Sequence, residues 1–370
     1  MHESDLRIFI GPTEIANINA ILADALKQKG AKVTVVTIGA GPFQDGMKYD
    51  KVLMPNIQRL NRFKKLFCYL YCWGYCFVKY FPTCNTFIFQ YGDTLLPFNL
   101  DLPILKIFNK CTIMQFVGDD IRYYRALEYT ADRAGLKYYM SQERLALERK
   151  ASQWKLRRKK LMLYMVEKFA THILSAPQYS QLLTRPYHTI DAPVDISNIR
   201  YNNNPNSIPI VIHAPSEEAF KGTTYIVKAT ERLKQEGYQF EFRLLRGVSN
   251  AEVRKILSEG DIAVDQLFAF GAGMFAIEAM ASGCAVLGGN VHAFSGLQEK
   301  LPVIHTNPDN IYQNLKMLLE DPDVRRVLGE KGRQYVERYH DPGKIADDYI
   351  RLIVTGEADT THFPVKDSAI

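Results

Sequence analysis

The chain has 370 residues, 47% apolar and 23% charged, with a formal net charge of +6. That composition excludes a disordered or fibrous protein, and the length fits two domains of ordinary size better than one core. Six cysteines scattered over so long a chain exclude the disulfide framework of a small secreted domain, so reduced thiols are expected.

The first residues, MHESDLRIFIGPTE, place acids before any apolar run and offer no small-residue cleavage site, so a cytoplasmic protein is expected. RIFIG at 7–11 reads as a strand closed by Gly11, an apolar-periodic stretch at 15–26 as a helix, and KVTVVTIG at 32–39 as a β-branched strand. This is a βαβ opening of the kind that builds a parallel sheet. Arg59, Arg62, Lys64 and Lys65 then lead into LFCYLYCWGYCFV at 66–78, a stretch too short to span a bilayer. It reads either as a core helix or as a basic, aromatic helix resting on an anionic membrane surface. Cys68, Cys72 and Cys76 would share one helix face, but no fourth ligand of zinc spacing accompanies them, and buried apolar thiols are expected.

FIFQYG at 87–92 and CTIMQFVG at 111–118 extend the sheet, each ending in glycine. Ligands of open α/β sheets bind beyond the carboxyl ends of the strands, which places the loops 11–17 and 118–122 at a ligand site. Residues 123–170 are helical in character, and 144–160 carries eight Lys or Arg against Glu148 alone. This basic run reads as a solvated helix face or, with 59–78, as a surface for anionic lipid. No recognition motif accompanies the charge, so nucleic acid is not an expected partner. THILSAP at 171–177 is a further strand, and DAPVDISNIRYNNNPNSIP at 191–209 has the composition of a linker.

Beyond the linker, strands at 208–215, 240–247, 261–267 and 284–289 alternate with helices at 221–236, 250–258 and 273–282, a second doubly wound domain. The division is therefore 1–195 and 196–342. Helices at 323–339 and 343–354 close the chain. The last of these, with bounds taken to 343–356, is expected to pack back on the first domain, and the tail after Thr355 reads as disordered.

Two stretches are specific: IHAPSEEAFKGTTYIVKATERL at 212–233 and DIAVDQLFAFGAGMFAIEAMASGCAVLGG at 261–289. In them the chain resembles the family 4 glycosyltransferases, whose second domain reads strand, loop, Lys-Gly, helix, and later Asp-Ile, a glycine-rich turn and Glu-Ala-Met-Ala-x-Gly. GPTEIANINAILADALKQKG at 11–30 and FVGDDIR at 116–122 add weaker similarities, so the likeness extends over most of the chain. The resemblance implies an α/β protein of the GT-B fold, two facing Rossmann-like domains with an interdomain cleft. It also implies retaining transfer of a sugar from a UDP- or GDP-linked donor to a glycan or lipid-linked acceptor. Asp119-Asp120 is adjacent rather than alternating, so no Asp-x-Asp metal signature is present and no essential metal is expected, and the basic and aromatic segments point to surface polysaccharide or glycolipid synthesis. No cofactor beyond the donor substrate is implied.

The residues agree in chemistry. A nucleoside diphosphate needs positive charge and backbone N–H groups for its phosphates and a carboxylate for the ribose diol. Lys221, beside Gly222, suits the first task. Gly271 and Gly273 allow close backbone approach before a helix that opens with Met274 and Phe275, and Glu278 matches the family's ribose-binding glutamate. A second glutamate, eight positions earlier in the family, is Phe270 here, so that either Asp265 or Gln266 holds the sugar, or the donor has an unusual hydroxyl pattern, or the protein has lost activity. An arginine six positions before the phosphate lysine is Pro215, and Arg246 could replace its charge. His213, at a strand end, is either a donor contact or a packed histidine. Gly11, Thr13 and Asn17, with Gly118 and Arg122, are expected to meet the acceptor. Asp120 would orient an acceptor hydroxyl or cap the following helix. Lys221, Glu278, Asp120 and His213 are thus the candidate catalytic set. The rival readings are a non-catalytic GT-B partner protein of a glycosylation complex and a sugar-nucleotide epimerase. A nicotinamide dehydrogenase is disfavoured, because GAG at 39–41 follows the wrong strand for a dinucleotide fingerprint.

Overall fold

The computed structural model describes residues 5–39, 48–57, 60–140, 142–202, 204–292 and 299–363. Arg59 and most of the GAG segment, Ala40 and Gly41, lie outside the described residues. Two compact units divide the chain: 1–130, 152–193 and 342–370 form the first, and 131–151 and 194–341 the second.

The first unit opens with β1 (Arg7–Ile10), α1 (Ile18–Gln28), β2 (Lys32–Thr37) and β3 (Lys51–Val52). After α2 (Arg62–Tyr80) come β4 (Thr86–Gln90), α3 (Asp101–Ile107) and β5 (Cys111–Gln115). Helices α4 (Tyr124–Arg133) and α5 (Gln142–Phe169), of which the residues within 131–151 belong to the second unit, precede β6 (His172–Leu174) and β7 (Tyr187–His188). The sheet order is β3-β2-β1-β4-β5-β6-β7, all parallel, with a final antiparallel strand beyond β7. Central β4 and β5 are buried at every position, as strands covered on both faces must be, and their sequences TFIFQ and CTIMQ accordingly lack a polar–apolar alternation, with Thr86, Gln90, Thr112 and Gln115 at or next to the strand ends.

The second unit comprises β8 (Ile210–His213), α6 (Glu218–Lys221), α7 (Thr223–Gln235), β9 (Glu241–Leu244), α8 (Asn250–Leu257) and β10 (Ile262–Val264). It continues with α9 (Met274–Ser282), β11 (Ala285–Gly288), β12 (Val303–His305), α10 (Ile311–Glu320) and α11 (Pro322–Tyr339). Its five parallel strands lie in the order β12-β11-β10-β8-β9. Helix α9 is apolar nearly all round and buried from Ala276 to Ser282. Gly283 ends it at φ +97°, where a Cβ would meet the Asn202 carbonyl oxygen at 2.3 Å, so no other residue fits.

The stretch 194–209 departs from a free linker. The Asp261 carboxylate accepts the backbone N–H groups of Asn206 and Ile210, each at 2.7 Å, and Asn202 N–H donates to the Ser282 carbonyl. These bonds tie the segment to the second unit. The C-terminal helix α12 (Pro342–Thr355) packs on α1, burying Ile345, Ala346, Tyr349 and Leu352 in the core that contains Leu22 and Leu26. The tail, expected to be disordered, carries the strand β13 (Thr361–His362), which pairs antiparallel with β7, and residues 364–370 lie outside the described residues. Six polar residues in 355–362 concealed that strand, because an edge strand of two residues needs only ladder hydrogen bonds and side-chain pairs. His188 Nδ1 lies 2.9 Å from the Thr361 hydroxyl.

Candidate functional site

Both sheets contain a point at which the winding reverses, and in open α/β sheets that is where ligands bind. In the second unit it falls between β8 and β10. Lys221 ends α6, after β8, and its buried side chain reaches across to the loop after β10. Its Nζ donates to Asp265 Oδ1 at 2.8 Å and to Gln266 Oε1 at 3.0 Å. The other carboxylate oxygen, Oδ2, accepts the N–H of Gly273 at 2.7 Å, and Gln266 Nε2 donates to the Gly271 carbonyl at 2.7 Å. One buried carboxylate therefore joins the lysine to the N-terminus of α9. A Cβ on Gly273 would meet Asp265 Oδ2 at 3.1 Å and Lys221 Nζ at 3.3 Å, so a larger residue there would press on the two charged groups. Gly222, at φ +76°, turns the chain from α6 into α7 against Leu267.

Glu278 lies five residues into α9, buried among apolar neighbours. Both its oxygens accept from Asn250 Nδ2 at 3.1 Å, at the start of α8. Burial raises its pKa, while the Asn250 bonds and the charge of Arg254 oppose the rise. The carboxylate thus has one neutral partner and spare acceptor capacity. Met274 and Phe275, in the first turn of α9, are half-buried against the second unit's core.

His213 is enclosed. Its Nδ1 lies 2.7 Å from the Val264 carbonyl and its Nε2 2.9 Å from the Thr223 hydroxyl. A carbonyl only accepts, so Nδ1 carries the proton and Nε2 accepts from Thr223. Burial pushes the imidazole down to about 4, which leaves it neutral at physiological pH. Arg246 stands apart on the surface, paired with Glu218. Phe270 is buried, its ring 5.8 Å from that of Tyr138. Tyr139 and Phe268 line a shallow pocket with it, beside His305. Lys137 Nζ, in the same segment, donates to Asp309 at 2.9 Å.

In the first unit the reversal falls between β1 and β4. Gly11 ends β1 at φ +132°, with its ideal Cβ position only 2.0 Å from the Val36 carbonyl oxygen. The loop it opens is fastened to the end of β4. Thr13 Oγ1 donates to Asp93 Oδ2 at 2.9 Å, and Ile15 N–H donates to Gln90 Oε1, whose amide donates in turn to Gln115 at the end of β5. Asn17, in the left-handed region at φ +63°, occupies the N-cap of α1 without a side-chain capping bond. Buried Glu14 caps instead, accepting from the N–H groups of Asn19 and Ala20, and burial pushes its pKa up to about 7.

After β5, Gly118 adopts φ +146°. Asp120 accepts the N–H groups of Val117 at 3.1 Å and Gly118 at 2.8 Å, so it braces the turn that precedes it. Burial pushes its pKa up to about 6. Arg122 pairs with Asp119, and Lys159 of α5 donates to the Asp119 and Arg122 carbonyls. Lys159 thus turns inward from the basic run, while Arg157, Arg158 and Lys160 are exposed. Within their own units, then, Lys221, Gln266, Gly271 and Gly273 meet around Asp265, and Thr13 meets Asp93. Glu278, His213 and Arg246 each have partners of their own. The sequence gives no sign of Glu14, Asn250 or Lys159, whose roles depend on contacts from distant segments. All six cysteines are free, and among the described residues no group of three His, Cys, Asp or Glu is gathered to hold a metal ion.

No protein-family model matches the sequence, and no curated protein does. Solved structures do match. A sucrose-phosphate synthase from Thermosynechococcus elongatus superposes with a TM-score of 0.62 at 17% identity, over 93% of this chain and 97% of that one. WaaG, a glycosyltransferase involved in lipopolysaccharide biosynthesis, gives 0.56 at 12% identity over 95% and 100%. A putative UDP-N-acetylglucosamine 2-epimerase from Listeria monocytogenes gives 0.53 at 13% identity over 97% and 99%. At these identities the likeness establishes the fold: the chain is an α/β protein of the GT-B type with two Rossmann-like units.

Proposed function

We propose that the protein is a glycosyltransferase that binds a UDP- or GDP-linked sugar in its second unit and passes the sugar, with retention, to a glycan or lipid-linked acceptor held by its first. The observation that carries this reading is the cluster of Lys221, Asp265 and Gly273 at the second switch point, where an ammonium group and a helix N-terminus stand together. That combination suits a diphosphate. Lys221 and the first N–H groups of α9 would meet the phosphates, and Glu278, one face of the helix further on, would accept the ribose hydroxyls. Gly222, Gly271, Met274 and Phe275 would shape the donor pocket. Arg246 would turn from its exposed pairing with Glu218, which costs little to open.

Gln266 and the neutral His213 serve the reaction as struts for Lys221 and β10. On the first unit, Gly11, Thr13, Asn17, Gly118 and Arg122 would present the acceptor, with Asp120 holding the turn. Asp265 is engaged by Lys221 and Gly273, so no carboxylate in the cluster is free to act as a nucleophile. The leaving phosphate would take the acceptor's proton, without a metal ion. WaaG's part in lipopolysaccharide synthesis supports a surface polysaccharide or glycolipid product, and six free cysteines suit the reducing cytoplasm.

The similarity to a putative epimerase favours one alternative, inversion within the sugar nucleotide. Phe270, where the family carries a sugar-binding glutamate, favours another, a non-catalytic partner of an active enzyme. Proton NMR of the protein with a panel of UDP- and GDP-sugars separates the three. Slow release of the nucleoside diphosphate, with an α-sugar appearing first from an α-linked donor, is the expected result. A new sugar nucleotide without release would identify an epimerase, and no turnover of any donor would favour the partner protein.

A further inference from the structure

Helix α2 buries one side and leaves the other bare. Cys72, Cys76 and Tyr80 enter the first unit's cores, whereas Phe63, Leu66, Phe67, Leu70, Tyr71 and Val78 are exposed, Phe63 by 80% and Val78 by 75%. At about 100° per residue the six exposed positions fall within an arc of roughly 140° on the helix. Single exposed apolar residues are ordinary, but a stripe that keeps to one face for five turns is not.

The stripe does not stop at the helix end. Phe77 and Phe81 lie on the same arc with their rings stacked at 5.0 Å, and Phe81 meets Phe108 edge-on at 5.2 Å. Phe108 and Ile107, at the end of α3, are themselves 60% and 76% exposed. The result is a continuous apolar strip roughly 27 Å long on the first unit.

Its charge is of one sign. Segments 62–81 and 102–110 contain Arg62, Lys64, Lys65, Lys79, Lys106 and Lys110 and no aspartate or glutamate. Lys106 Nζ reaches the Lys168 carbonyl at 2.8 Å, which brings the exposed Lys168 and Tyr164 of α5 to the same border. Long lysine stems extend the apolar surface while keeping their ammonium groups in water, so the strip has an apolar, aromatic centre and a cationic edge. A protein partner of ordinary composition would bring both signs of charge. An anionic bilayer brings one, in a plane, over a hydrocarbon layer.

We propose that this strip docks the protein on an anionic lipid surface, with the side chains of α2 and the end of α3 in the headgroup layer and the lysines against lipid phosphates. Among the described residues no helix is long and apolar enough to cross a membrane, and the inference is of attachment to one face. It stands independently of the transfer reaction.

The test is flotation of the full-length protein with vesicles of phosphatidylcholine alone or mixed equally with phosphatidylglycerol. Binding to the mixed vesicles, weakened by salt and much reduced on phosphatidylcholine alone, is expected. Phe63→Ser with Phe67→Ser, and separately Ile107→Ser with Phe108→Ser, should each lower the vesicle association constant by at least about tenfold, since these exposed side chains contribute little to the fold. Arg157→Glu with Arg158→Glu, on exposed α5, should leave most of it. The proposal is overturned if the native protein ignores anionic vesicles, or if the serine pairs bind as the native protein does while the α5 pair does not. It is equally overturned if the serine pairs dissociate a dimer in sedimentation, for then the occupant is a second copy of the chain.

Discussion

Replacing Lys221 by alanine would leave the Asp265 carboxylate, which is 1% exposed, with the Gly273 N–H as its remaining donor among the described residues. At 2.8 Å and an effective dielectric near 20, the Lys221–Asp265 attraction is about 6 kcal/mol, and the two desolvation penalties consume most of it. The pair contributes little net stability, yet each half is costly without the other. Lys221→Ala should therefore destabilise the second unit by about 3–5 kcal/mol, and Asp265→Ala by a similar amount. The double variant Lys221→Met, Asp265→Leu should return to within about 2 kcal/mol of the native protein. Guanidinium titrations followed by circular dichroism measure all four. A cost below about 1 kcal/mol for Lys221→Ala would refute the reasoning, because the lysine would then be screened by solvent and Asp265 would not need it. The double variant is useful a second time: it should fold but no longer be stabilised by UDP or GDP, which separates the lysine's structural part from its part in binding.

Glu278→Ala should weaken binding of the nucleoside diphosphate by about 2–3 kcal/mol, read by calorimetry, because two charge-assisted hydrogen bonds to ribose are lost. Gly273→Ala places a methyl group 3.1 Å from Asp265 Oδ2 and 3.3 Å from Lys221 Nζ, and should reduce nucleotide affinity more than it reduces melting temperature. Burial holds His213 at about 4, below its unfolded 6.5, so the stability it contributes is present above pH 6.5 and lost as pH falls toward 4. His213→Gln should flatten the acid limb of a stability–pH curve. Glu14 has the opposite sign. Its pKa is raised from 4.5 to about 7, so its ionisation lowers stability as pH rises through that window, by of order 3 kcal/mol, and Glu14→Gln should remove the slope.

Much of the architecture is legible in the sequence because it is local. The runs at 7–11, 32–39 and 111–118 each contain the strand they announce, the run at 87–92 holds all of its strand but Thr86, and Gly11, Gly118 and Gly283 stand where backbone φ is positive. Strands β3, β7 and β13, of two residues each, have no period to read and exist only through their neighbours in the sheet. At the site, the glycines and Lys221 are visible as spacing, whereas the bond from Lys221 to Asp265 spans 44 residues and is set by the order of the strands. The same holds for Asn250, which meets Glu278 because α8 packs on α9. Helix α2 shows the limit from the other side. Its composition fits a core helix and a surface helix alike, and only the exposure of Phe63 and Phe67 beside buried Cys72 and Cys76 separates the two faces.

Thermal unfolding of the purified protein with UDP or GDP in the presence of a metal chelator tests the account most directly. Binding at the Lys221–Gly273 cluster predicts a rise in melting temperature with one of the two nucleotides, absent in the Lys221→Met, Asp265→Leu variant. An unchanged melting temperature with both nucleotides, or an equal rise in that variant, would contradict it.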